Sequence, residues 1–190
     1  MKITVLGGGH GCYAAALEMA EKGHEVVLWR RDAEALNALA ATGQLFVKDF
    51  QGERSVTVGF ENSQINLQNN LEKAITHAQL IIIPLPATTH VNLAEQAAPY
   101  FQDGQVVYLP PGTFGSFVFA KAMKDVGNNA EVAFAETGTL PYLVRKHDVN
   151  HIVVSGYATR LPTGVFPSSL SKHAFKILTQ AYPSVEPIED

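Results

Sequence analysis

The first thirty residues constrain this chain most. A short apolar run, Ile3-Thr4-Val5-Leu6, leads directly into Gly7-Gly8-Gly9-His10-Gly11-Cys12. An Ala-rich amphipathic segment, Tyr13 to Lys22, follows, and a second apolar run, Val26-Val27-Leu28-Trp29, ends in Arg30-Arg31. Strand, glycine turn, helix and strand in this order form the layout of a dinucleotide-binding βαβ unit. Gly7 suits the sharp exit from the strand because it lacks a Cβ. Gly9 allows the main chain to approach a pyrophosphate closely, and the helix beginning near His10 or Gly11 turns its free N–H groups and positive dipole end toward the phosphates. The third position of G-x-G-x-x-G holds Cys12, a small residue that serves helix–strand packing as Ala does.

The end of the second strand bears on which dinucleotide fits. An acid there would bind the ribose 2′-hydroxyl of NAD, whereas Arg accommodates the 2′-phosphate of NADP. Arg30 stands at that place with Arg31 beside it, and the first acid, Asp32, comes later. Two guanidiniums suit bidentate phosphate contacts, so NADP is the expected cofactor, with NAD the alternative. The bland reading is a solvated Arg pair ahead of a helix capped by Asp32.

A chain of 190 residues suffices for one generous domain. Hydrophobic residues make up 46% and charged residues 17%, which fits a packed core and excludes a disordered chain. The net charge of -4, with scattered Lys and Arg, gives no basic stripe for nucleic acid. One cysteine excludes an internal disulfide and suits a reducing compartment. No apolar run is long enough to span a membrane, and the glycines, His10 and Glu18 break up any secretory leader. The expectation is a soluble cytoplasmic protein. The seven His lack metal-ligand spacing and no Cys cluster joins them, so no metal is expected.

Strands and helices alternate along the chain. The patterning predicts strands at Lys2–Leu6, Glu25–Trp29, Leu80–Ile83, Gln105–Leu109 and Glu131–Ala135, and helices at Gly11–Lys22, Ala33–Ala41, Leu71–His77, His90–Ala98 and Ser116–Asp125. Leu45–Lys48 and Ser55–Phe60 read as an inserted hairpin, and Glu61 to Asn70 as a polar loop. Farther on, Tyr142–Val144 and His151–Val154 read as short strands around a polar turn holding Arg145-Lys146-His147-Asp148, and Ser169–Leu178 as a helix. The fold class is α/β: a Rossmann-type, doubly wound, mostly parallel sheet with helices on both faces. The domain is expected over 1–181, with 182–190 a tail or linker. Ligands of such sheets bind at the carboxyl ends of the strands. That rim gathers Gly7–Cys12, Arg30, Pro84–Thr88, Pro110–Phe114 and Glu136–Thr139. Leu85 and Pro86 would form a stiff apolar lip for adenine or nicotinamide.

Three segments carry a family resemblance: the glycine loop, Leu109-Pro110-Pro111-Gly112-Thr113-Phe114-Gly115-Ser116, and Glu136-Thr137-Gly138-Thr139-Leu140-Pro141-Tyr142 with Arg145 shortly after. On these the chain resembles the N-terminal domain of the octopine/nopaline (opine) dehydrogenases, over nearly its whole length. Glycerol-3-phosphate dehydrogenases are similar through Leu28-Trp29 and Arg31-Asp32, but would need a Lys-Gly segment where this chain has Pro-Pro-Gly-Thr. The resemblance implies an oxidoreductase that condenses an α-keto acid with an amino group using NAD(P)H. It also implies Thr139 as a contact for the keto-acid carboxylate, and a helical C-terminal domain carrying the catalytic His and Asp. No catalytic residue is therefore expected in this chain. Adjacent residues such as His147 and Asp148 do not normally face each other, and Cys12 is expected to pack and not to react. The alternative is a stand-alone dinucleotide-binding module, with a homodimer or a second domain covering any exposed apolar face.

Overall fold

The computed structural model describes residues 1–188. In chain order the elements are β1 (Lys2–Leu6), α1 (His10–Glu21), β2 (Glu25–Trp29), α2 (Ala33–Thr42), β3 (Gln44–Asp49), β4 (Gly52–Gly59), β5 (Ile65–Gln68), α3 (Leu71–His77), β6 (Leu80–Ile82), α4 (His90–Ala97), β7 (Val106–Leu109), α5 (Gly115–Asp125), β8 (Ala133–Thr137), β9 (Tyr142–Asp148), β10 (His151–Tyr157), β11 (Leu161–Phe166), α6 (Ser171–Ala181) and β12 (Val185–Pro187). Among the described residues the strands form one sheet in the order β12-β11-β8-β7-β6-β1-β2-β5-β4-β3-β10-β9. From β8 to β4 every pairing is parallel, which is the expected Rossmann-type α/β core. Antiparallel pairs occur where β11 meets β8, where β3 meets β4, and where β9 meets β10.

The central strands are apolar on both faces because both faces are covered. Ile3, Val5, Leu28, Ile82 and Tyr108 point into one core with α1, α2 and α6. Leu6, Val27, Ile81, Val107 and Leu109 point into the other with α3, α4 and α5. Helix α1 is not amphipathic in place: Gly11 to Leu17, Met19 and Ala20 are all buried. The sheet covers one side of it, and Tyr142, Val144, Ile152 and Val154 of β9 and β10 join the same core on the other. The run Ala14-Ala15-Ala16 allows this close approach from two sides.

Four stretches depart from the sequence reading. The supposed loop Glu61 to Asn70 contains β5, whose Ile65 and Leu67 are buried while Asn66 and Gln68 are not. Arg145 to Asp148 are not a turn but the second half of β9, where Val144 is buried and Arg145 exposed. Their charges belong to the outward face of a half-covered edge strand. Strand β11 was hidden by Pro162 and Gly164; Pro162 stands at the second position of a short strand near the sheet edge. Val185–Pro187 pair in parallel with Leu161–Thr163, so part of 182–190 is built into the sheet; residues 189 and 190 lie outside the described residues.

Candidate functional site

The carboxyl ends of β1, β2 and β6 open onto a groove of about 380 Å³. Its lining includes Gly7, Gly8, Arg30, Arg31 and Leu85, five residues brought together from three separate turns. Gly7 has φ +124°, a conformation that disfavours side chains, and its N–H donates to the Trp29 carbonyl at 2.8 Å. A Cβ there would lie 2.6 Å from Leu85 Cδ2 and 2.8 Å from Cys12 Sγ. Gly8 lies directly beneath the Arg30 side chain. Gly11 is needed for packing, since a Cβ would come within 2.7 Å of Leu140 Cδ1. At Gly9 nothing of the protein would stand within 4 Å of a Cβ, so the chain there faces open space.

Gly9 is the N-cap of α1 and provides no side-chain cap, and the first turn carries no acid. The leading N–H groups of α1 are thus left for solvent or a ligand. Contrast α2 and α3: Asp32 accepts from Ala35 N at 3.0 Å, and Asn70 accepts from Lys73 N at 2.9 Å. The His10 ring turns away from this end, its Nδ1 accepting the Lys146 N–H at 2.6 Å. His10 can therefore offer its backbone N–H while its imidazole ties the loop to β9. Cys12 is fully buried, with Sγ 3.7 Å from the Leu6 carbonyl oxygen; burial pushes its thiol up to about 12, so it stays neutral and packs.

Arg30 is held in place. Its Nη1 donates to Tyr13 Oη at 3.2 Å and its Nη2 lies 3.9 Å from Asp32 Oδ2. The Tyr13 ring carries Lys146 Nζ at 4.3 Å from its centroid, a cation–π contact. Arg31 is exposed beside it. Local sequence did not single out Tyr13 and Lys146, because their part in the site depends on β9 folding over α1. Leu85 is fixed from behind: buried His90 donates from Nε2 to the Leu85 carbonyl at 3.1 Å, and burial holds His90 below its ordinary pKa, favouring the neutral ring. Pro86, exposed, opens the 3-10 turn Ala87–Thr89. Thr139 lies outside this groove. It is exposed, with Oγ1 3.4 Å from the Leu140 carbonyl oxygen, in a shallow depression shared with Pro141, Leu143 and Tyr157. Its neighbour Leu140 packs on Gly11, so the two sites adjoin at the start of α1.

Open helix N–H groups and free space at Gly9, beside a groove that holds two guanidiniums, fit the phosphates of a dinucleotide. Among the described residues no cluster of His, Cys, Asp or Glu could hold a metal ion, and no helix is long and apolar enough to cross a membrane.

The comparisons with known proteins agree with this fold. Residues 2–112 match the family model of the NAD-dependent glycerol-3-phosphate dehydrogenase N-terminus. The chain is 26% identical over 188 residues to an opine dehydrogenase of Arthrobacter sp. (strain 1C), covering 98% of this chain and 50% of that protein. Octopine dehydrogenase in complex with NADH and agmatine superposes with a TM-score of 0.76 at 22% identity, covering 98% of this chain and 48% of its own. Yersinopine dehydrogenase with NADP+ bound gives 0.68 at 14% identity, covering 100% of this chain and 47% of its own. The chain thus spans about half the length of these relatives. With more than half of its length matched by the family model, the chain belongs to the family of NAD-dependent glycerol-3-phosphate dehydrogenase N-terminal domains, NAD(P)-binding domains of Rossmann type.

Proposed function

We propose that this chain binds NADP(H) as the dinucleotide-binding domain of an opine-dehydrogenase-like oxidoreductase that reductively condenses an α-keto acid with an amino acid, the domain expected over 1–181 extending through β12. The observation that carries the reading is the uncapped N-terminus of α1 opening beside the groove that holds Arg30 and Arg31. In this reading the N–H groups of α1 receive the pyrophosphate, with Gly9 giving it room. Arg30, held over Gly8 by Tyr13, and Arg31 receive the 2′-phosphate. Leu85 and Pro86 form the apolar lip. The nicotinamide supplies hydride chemistry when bound, and the protein supplies binding and orientation. Thr139, next to the loop that packs on Gly11, is proposed to contact the keto-acid carboxylate.

No residue of this chain is assigned an acid–base step. Catalysis is proposed to require a helical C-terminal domain following 182–190, which the length of the relatives supports. A cytoplasmic setting goes with a single cysteine buried as a neutral thiol. NAD is the second reading, favoured by Asp32 lying close enough to draw the Arg30 guanidinium away from a phosphate. Arg30→Asp combined with Arg31→Ala separates the two. Loss of NADPH affinity with NADH affinity retained supports NADP, and unchanged NADPH affinity refutes the assignment. Turnover of keto acid and amino acid by this chain joined to a helical C-terminal domain tests the enzyme reading; dinucleotide binding without turnover would leave a binding module.

A further inference from the structure

The groove wall opposite Arg30 and Arg31 is the outer face of α4, and it presents a pair of carboxamides. Asn92 and Gln96 are exposed, stand one helical turn apart, and both line the groove. Gln96 Nε2 donates to Asn92 Oδ1 at 2.7 Å and to the Asn92 backbone carbonyl at 3.1 Å. The second bond sets the direction of the first, because a backbone carbonyl can only accept. Gln96 must therefore turn its N–H₂ inward toward the helix and its Oε1 outward, while Asn92, with Oδ1 taken, offers its Nδ2. Among the described residues neither outward atom has a protein partner. The pair displays an acceptor beside a donor. Buried Leu93 and Trp29 supply apolar surface in the same groove.

The 6-position edge of adenine has the complementary pattern: an amino donor flanked by a ring-nitrogen acceptor on either side. Hypoxanthine and guanine carry an oxygen at that place, which would meet Gln96 Oε1 acceptor to acceptor. We propose that Asn92 and Gln96 are base-reading residues, Gln96 Oε1 accepting from the adenine 6-amino group and Asn92 Nδ2 donating to the adjacent ring nitrogen. This rests on the reading of the groove as the dinucleotide site. In that reading the α1 N–H groups beside the groove take the pyrophosphate, Arg30 and Arg31 within it take the ribose end, and the carboxamide pair takes the base.

The test is calorimetric titration of the chain with NADPH and with its 6-deamino analogue, in which hypoxanthine replaces adenine. The wild-type chain is expected to bind NADPH about tenfold more tightly than the analogue. The Asn92→Ala/Gln96→Ala variant should bind both alike, near the wild-type affinity for the analogue, with an unchanged circular dichroism spectrum. Equal wild-type affinities, or a variant that keeps the preference, would overturn the base-reading role while leaving the groove as the cofactor site. A wild-type chain that binds neither dinucleotide would overturn both.

Discussion

Two turns on the same rim look alike in sequence and end differently. The β1–α1 turn and the β7–α5 turn both leave a buried parallel strand and enter a helix through glycine. At α5 the chain supplies its own anion: Glu136, from β8, accepts the Ser116 N–H at Oε2 (3.3 Å) and packs against Gly112. At α1 no side chain does so, and Gly9 faces open space. Both helix ends attract negative charge. Only the one left open by the protein can hold a ligand's phosphate. A glycine-rich turn before a helix is therefore an incomplete signal, because the residue that closes it can come from a distant strand.

The largest effect is expected from making α1 resemble α5. Gly9→Asp would place a carboxylate at the N-cap, stabilising the chain by about 0.3 kcal/mol while lowering NADPH affinity about a hundredfold. Urea denaturation and calorimetric titration of the same preparation would read the two opposed changes; a stabilised variant that still binds would break the comparison. Gly7→Val is expected to lose affinity for a different reason, with stability falling by about 2 to 3 kcal/mol, since its Cβ would meet Leu85 and Cys12 at a φ of +124°.

A third region closes its charges within the protein, as α5 does. Asp49, whose side chain is fully buried, takes Arg54 Nη1 at 2.8 Å, Arg54 Nη2 at 3.0 Å and the Tyr157 hydroxyl at 2.6 Å. The Arg54 hydrogen bonds hold its carboxyl at about 2. A folded-state pKa below the unfolded value gives stability that is present above about pH 4 and lost as pH falls toward 2. About 2 kcal/mol should disappear over that interval, and the loss should be absent in Asp49→Asn. Equal acid sensitivity of the two proteins, followed by denaturant midpoints against pH, would contradict it. The smallest effect is expected at α5: Glu136→Ala frees the Ser116 N–H and should lower stability by about 1 kcal/mol in urea denaturation.

Most of the α/β rhythm was legible because the central strands are buried on both faces and read as unbroken apolar runs, as in Leu80-Ile81-Ile82. The periphery was not. β5 offers only Ile65 and Leu67 within a polar stretch, β9 alternates buried and exposed residues through Arg145, and β11 contains Pro162. The site divides in the same way. Gly7, Gly9 and Arg30 carry local requirements of backbone and charge. Tyr13 under Arg30, Lys146 over Tyr13, and the Asn92–Gln96 pair act through contacts made only once β9 and α4 are in place.

The most direct test of the open helix end and the Arg pair as one site is calorimetric titration of the chain with NADPH and, separately, NADH. Binding of both, with NADPH tighter by about tenfold or more, is the expected result. Binding of neither would contradict it.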